Sequence, residues 1–191
     1  MANGRVITGF SKPYVALYAE SGGTVSYSSA MALARGVEVS VEAETSDDNN
    51  FYADNIVAET AAGTLTGGTV TLTVDGLKDA ARKLILGLPT ADGDGWTAYG
   101  DDMAIPFVGI GFIVRYQEDG VVSYMPVVLN KCQFAPDAIS AATQEDDIDW
   151  QTQELTATIF RDDSAKHNWK MVGTAVATEA AAEAAITTYL A

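Results

Sequence analysis

Apolar and polar residues alternate strictly over Val37-Glu38-Val39-Ser40-Val41-Glu42-Ala43-Glu44, with aliphatics on one side and Glu or Ser on the other. A period of two sends successive side chains to opposite faces, so this segment predicts a half-buried strand. Thr69-Val70-Thr71-Leu72-Thr73-Val74 repeats the pattern with threonines outward, and Leu155, Ala157 and Ile159 alternate with Glu154, Thr156 and Thr158. Such strands belong to antiparallel sheets wet on one side. Phe107 to Tyr116 and Val121 to Leu129 are apolar almost throughout, which predicts deeper cover. Glu118-Asp119-Gly120 between them predicts the turn of a hairpin.

Two stretches carry a helical period instead. Leu77, Ala81, Leu84, Ile85 and Leu88 fall at i, i+4, i+7, i+8 and i+11, with Asp75 as the expected N-terminal cap and Gly87 at the C-terminal end. From Thr178 to Leu190, Ala182, Ile186, Tyr189 and Leu190 share a face, although Glu179 and Glu183 repel at i, i+4. A helix this short is marginal alone and must dock, either on its own domain or on a neighbouring subunit. Between the strands, Thr45 to Asn50 reads as an exposed polar loop leading into Phe51 and Tyr52, and Thr90 to Asp102 as a second loop carrying Trp96 and Tyr99. No repeat, linker or heptad pattern interrupts the chain.

The expected fold is therefore mainly β: an antiparallel β-sandwich or barrel-like domain over residues 1–173 with a flanking helix near 75–87, followed by an Ala-rich C-terminal helical arm over 174–191. At 20.1 kDa a compact domain exposes roughly 8,700 Å² and buries ~70% of its unfolded surface. A single cysteine, Cys132, excludes an intramolecular disulfide. A single histidine, His167, excludes zinc patterns that need several Cys or His ligands. Met1 to Phe10 lacks the apolar run of a secretory leader. Ile105 to Val114, interrupted by Pro106, Gly109 and Gly111, is too short to span a bilayer as a helix. A soluble protein made in the cytoplasm is expected, without a membrane partner.

Eleven Lys and Arg against 26 Asp and Glu leave a formal charge of −15, which opposes adhesion to nucleic acid or anionic membranes. Nucleophilic catalysis needs a base beside a Ser or Cys, yet His167 lies in a polar turn among Asp162, Asp163, Ser164 and Lys166. Cys132 alternates with Asn130 and Phe134 in an apolar strand and reads as a small buried hydrophobe. Asp92-Gly93-Asp94-Gly95 imitates the opening of a calcium loop but lacks the closing bidentate acid. Glu145, Asp146, Asp147 and Asp149 form a denser acidic group that reads as a solvated loop. Gly109-Ile110-Gly111 lacks a third glycine and sits within a strand, so it reads as a close-packing site rather than a phosphate cradle. The chain is expected not to be an enzyme, with no catalytic residue, cofactor or metal.

The residues point to assembly instead. Unpaired strand edges aggregate unless covered or used, and no lysine-rich edge protects this chain. A head-to-tail contact that closes after rotation makes a ring, and stacking rings needs a second heterologous surface. The Thr45 to Asn55 segment, with Asp47, Asp48, Phe51, Tyr52, Asp54 and Asn55, is the expected subunit interface, together with the C-terminal arm.

Phe51-Tyr52-Ala53-Asp54-Asn55, preceded by Val37 to Glu44 and followed by Lys78 to Gly87 and Tyr124 to Pro136, resembles the phage major tail proteins of the phi13-like branch. The resemblance covers roughly residues 14–172. Phe51 to Asn55 match an aromatic-Ala-Asp-Asn element, Arg82 to Gly87 a helix ending in Leu-Gly, Asn130 to Cys132 a strand with a central cysteine, and Gln151 to Phe160 a polar-to-apolar strand. Thr174 to Ala191 lie outside it. The resemblance implies a virion structural protein whose hexameric rings stack into a tail tube, a conduit for DNA during ejection. Its implied partners are further copies, a tape measure and a tail terminator, with assembly in the bacterial host cytoplasm. An acidic or neutral bore suits that role, because each Lys or Arg contact to a phosphate adds affinity and therefore drag. Glu38, Ser40, Glu42, Thr69, Thr71, Glu154 and Thr156 are the expected bore-facing side chains. The competing readings are the tube of a phage-tail-like injection particle and a monomeric acidic β-domain that serves as a binding module or DNA mimic.

Overall fold

The alternating segments become strands of one antiparallel sheet. The computed structural model describes residues 4–101, 103–143 and 150–191. Its strands are β1 (Val6–Ser21), β2 (Thr24–Ala32), β3 (Gly36–Thr45), β4 (Asn49–Ala53), β5 (Ile56–Ala61), β6 (Leu65–Val74), β7 (Val108–Glu118), β8 (Val121–Phe134), β9 (Gln153–Phe160) and β10 (Lys170–Val172). The helices are α1 (Asp79–Leu86) and α2 (Glu179–Tyr189). The large sheet runs β2-β1-β7-β8-β9-β6-β3, with β10 also paired to β8, while β4 and β5 form a separate two-stranded sheet. β3 touches β1 although four strands separate them in the sheet, so the sheet rolls over on itself. This is the mainly-β, sandwich-like architecture that the alternation predicts.

One core fills the inside of the roll. Val70, Leu72 and Val74 of β6 and Leu155, Ala157 and Ile159 of β9 pack with Val15, Ile110, Leu129 and Phe134, and Ala81, Ile85 and Leu86 of α1 join them. A second, smaller core lies on the other face of β1, β7 and β8, where Ala16, Ile113 and Val128 meet Ala182 and Ile186 of α2 and its C-cap residue Leu190. The C-terminal helix thus docks on its own domain. Its cover accounts for the continuous apolar run in β7, which is buried on both faces from Val108 to Ile113.

Gly109 and Gly111 make that docking possible. A Cβ at Gly111 would stand 2.4 Å from Cγ2 of Ile186, and one at Gly109 would stand 2.6 Å from the Tyr27 ring. Both distances are far inside van der Waals contact, so the helix lies directly on the glycine backbone of β7.

The expected repulsion between Glu179 and Glu183 is relieved from outside the helix. At the bulge of β1, Ser11 donates to Glu179, Tyr14 donates to Glu183 at 2.7 Å, and the Lys12 ammonium stands 3.4 Å from Glu183. The Tyr14 hydrogen bond, then Lys12, holds the Glu183 carboxyl below its ordinary value of 4.5. A carboxyl that is more acidic in the native state stabilises the fold above its unfolded pKa, and that contribution disappears as pH falls through the native value. Glu183→Gln is therefore expected to be less stable than the parent at pH 7, by a gap that is smaller near pH 3. Urea titrations of both chains at the two pH values check this, and an equal gap at both would refute it.

Two local expectations are corrected. Asp75 does not cap α1: the helix starts later, with Lys78 as N-cap and no side-chain cap bond. The Asp75 carboxylate instead accepts from the backbone N–H of Arg35 at 3.0 Å and from its Nε, clipping the start of β3 to the end of β6. Gly87 does end the helix, at φ 61°, where its backbone N–H bonds the Lys83 carbonyl. Asn130 and Cys132 do not share a face, because the β7–β8 register shifts between Val108/Cys132 and Ile110/Leu129. Leu129 and Cys132 both enter the main core, whereas the Asn130 amide bonds Asp162 at 2.7 Å. An extra residue at this bulge resets the alternation that the sequence implies.

The protein exposes 11912 Å², about 3,200 Å² more than a compact monomer of its mass. Part of the excess is the β4–β5 hairpin, none of whose strand residues is buried.

Candidate assembly surface

The outer face of β3, β6 and β9 is a ladder of polar rows. Strand register sets Glu38 beside Thr73 and Thr73 beside Glu154, then Ser40 beside Thr71 and Thr156. The third row continues onto β8 as Glu42, Thr69, Thr158 and Gln133. Directly paired residues on neighbouring strands point to the same side. All seven residues expected to face a bore thus share one continuous surface, to which Thr73, Thr158 and Gln133 add. Beneath them Val70, Leu72, Leu155 and Ala157 fill the core, so the face has one wet and one dry side. Its carboxylates, Glu38, Glu42 and Glu154, have no cation on the same rows. Lys131, two residues before Gln133, is held at 2.6 Å by Asp163.

The expected Thr45 to Asn55 loop is corrected to the first half of a projecting hairpin. β3 and β6 remain joined through Thr45 and Leu65, and Ser46 bonds the Thr64 carbonyl at 2.9 Å. Asp48 accepts from the Gly63 N–H at 2.8 Å, which steadies the base. β4 and β5 then run out to a tip at Asp54 and Asn55, whose φ values of 51° and 62° are those of a tight two-residue hairpin turn. Tyr52 pairs with Val57, and Ala53 with Ile56. Phe51, Tyr52 and Ile56 are 64%, 64% and 67% exposed, with aromatic or aliphatic groups on both faces of the ribbon. An isolated two-stranded hairpin is marginally stable at best in water, so bare apolar faces call for a cover. Asp47, Asp48, Phe51, Tyr52, Asp54 and Asn55 all belong to this arm. The sequence signal for it was Asp54-Asn55 between two short apolar runs.

The sheet's two edge strands, β2 and β3, carry no Lys or Arg. The 42 residues between Arg35 and Lys78 hold eight acids and no cation, so β3, the hairpin and β6 form one anionic unit. Cations gather where β3 begins and β6 ends: Lys12, Arg35 and Lys78 line a cleft of about 480 Å³ with Tyr14, Asp75 and Glu183.

Side chains with chemical potential elsewhere are engaged locally. Cys132 is buried and its thiol is pushed up by desolvation. His167 stands at φ 50° in its turn, with Nδ1 3.2 Å from the Asp162 carbonyl. Asp92 turns its carboxylate onto the N–H groups of Asp94 and Trp96 at 3.0 and 2.8 Å, the arrangement of an Asx turn. Glu145, Asp146, Asp147 and Asp149 lie outside the described residues, among which no group of three or more potential metal ligands occurs. Sequence reading missed a polar knot at the β8 bulge. There Tyr27 donates to the Asn130 carbonyl at 3.0 Å, and Tyr18 and Lys131 both donate to Asp163. Desolvation pushes the Tyr18 phenol up to about 12, while Lys131 and then Tyr18 hold the Asp163 carboxyl low.

No protein-family model and no curated protein matches this chain. Among the described residues no helix is long and apolar enough to cross a membrane.

Proposed function

We propose that this chain is a structural subunit that polymerises with its own copies into a tube, as stacked hexameric rings of the tail tube of a long-tailed bacteriophage. The observation that carries the reading is the projecting hairpin, a ribbon with Phe51 and Tyr52 bare on opposite sides and no cover from its own domain. A contact with a second copy would bury those faces, and because hairpin and receptor differ the contact is heterologous and propagates. The unprotected β2 and β3 edges offer a further contact for closing a ring.

The polar ladder on β3, β6 and β9 supplies the bore. Carboxylates and hydroxyls without facing cations neither neutralise phosphates nor hold them, so a polyanion slides past. Tape-measure and tail-terminator proteins are the further partners this role entails, and the virion tail is its location. The resemblance of Phe51 to Asn55 and its flanking segments to phi13-like major tail proteins supports the same reading.

Negative-stain microscopy of the purified full chain tests it. Tubes or six-fold rings are expected. A chain that stays monomeric at high concentration would refute the proposal and favour an acidic binding domain.

A further inference from the structure

The β3–β6 ribbon has two unlike ends. From Gly36 to Thr45 it extends about 30 Å at ~3.3 Å per residue, and the hairpin leaves at the Thr45 and Leu65 end. The opposite end, where Arg35 enters β3 and Asp75 leaves β6, opens into the cleft lined by Lys12, Arg35 and Lys78. The hairpin and its base bring Asp47, Asp48, Asp54 and Glu59 with no compensating cation. In the cleft, Lys12 is paired with Glu183 and Arg35 with Asp75. Lys78 is exposed and has no ion-pair partner among the described residues, which leaves the cleft one positive charge in excess. Its wall includes Pro13, Tyr14 and Ala34, apolar groups of a size to meet Ala53 and Ile56 beside the hairpin tip.

We propose that the hairpin tip of one copy docks in the Lys12, Arg35 and Lys78 cleft of the next copy along the β3 axis, making this the ring-to-ring contact. The inference rests on the assembly reading above and names the receptor of its hairpin. Acidic tip and cationic cleft lie beyond opposite ends of the β3–β6 pair, so each copy presents one donor end and one acceptor end. A contact of that kind between unlike surfaces, translated along the axis without closing, generates an open stack. Charge complementarity fixes its direction: tip against tip and cleft against cleft bring like charges together.

Crosslinking tests the pairing. An Ala53→Cys chain is mixed with an Ala32→Cys chain, whose thiol lines the cleft and leaves Lys12, Arg35 and Lys78 in place, and treated with a short bis-maleimide under conditions where the unsubstituted chain assembles; the native Cys132 is buried and does not compete. A covalent heterodimer is expected, with neither variant alone giving dimer. In parallel, Lys78→Glu is expected to raise the concentration needed for assembly at least tenfold in sedimentation, whereas Lys83→Glu, outside the cleft, leaves it unchanged. No heterodimer, or unaltered assembly of Lys78→Glu, overturns the docking while the tube reading stands. An unsubstituted chain that remains monomeric throughout removes both.

Discussion

Replacing residues 47–63 with a two-residue Asn-Gly turn is expected to yield a folded protein that no longer assembles at any concentration where the full chain forms tubes. The replacement keeps Ser46 and Thr64 adjacent, as their backbone bond of 2.9 Å requires, and Asn-Gly supplies the conformation that a two-residue hairpin loop needs. No strand residue removed from β4 or β5 is buried, so the rolled core loses nothing it packs against. Thermal unfolding should therefore change little, within the roughly ±0.5 kcal/mol typical of surface changes. Assembly loses the apolar area of Phe51, Tyr52, Ile56 and Val57 together with the acidic tip, and interface anchors of this aromatic type carry most of the energy in a contact. Calorimetry and electron microscopy on the same preparation separate the two effects. Normal tubes from the shortened chain would end the hairpin's role as the joining element.

Gly111→Val is expected to unseat α2. Its first added carbon alone would fall 2.4 Å from Ile186 Cγ2 and 3.2 Å from Leu190 Cδ1, and both partners, one in α2 and one at its C-cap, are fully buried. Overpacking of this kind costs about 1–3 kcal/mol where the structure adapts. If the helix lifts, buried Ile186 and Leu190 each forfeit about 1.5–3 kcal/mol of apolar burial. A loss of about 3 kcal/mol or more follows, equivalent to roughly 6–12 °C in Tm for a domain of this size. Gly111→Ala places its methyl against Ile186 Cγ2, the atom that Ile186→Ala removes. The double variant Gly111→Ala/Ile186→Ala should consequently be less damaged than the sum of the two single changes. Strict additivity in denaturant titrations would show that glycine and helix are not in contact. Exposure of Ala16, Ile113 and Val128 should also produce amorphous aggregate, distinct from ordered tubes.

The two variants act on parts of the molecule that were unequally legible. The polar ladder could be read from Val37 to Glu44, Thr69 to Val74 and Glu154 to Ile159, because alternation is a property of each strand by itself. Gly109 and Gly111 announced a close approach but not what approaches. The hairpin reads as a loop in the sequence because its strands bury no face, leaving no contrast between a dry and a wet side along the chain. At Asn130 the alternation itself misled, because a bulge is created by pairing with β7 rather than by the residues of β8 alone.

The sequence by itself determined that this is an acidic, mainly-β chain with three strands polar on one side, two short helices and a tight turn at Asp119-Gly120. Those features follow from backbone geometry over a few neighbouring residues, where successive side chains point in fixed directions. Only the tertiary structure decided that Glu38, Thr73 and Glu154 form one row, that α2 lies on Gly109 and Gly111, and that the anionic hairpin and cationic cleft lie beyond opposite ends of the β3–β6 pair. Each of these depends on which distant segments pair and in what register, and that choice is settled by burying a common core.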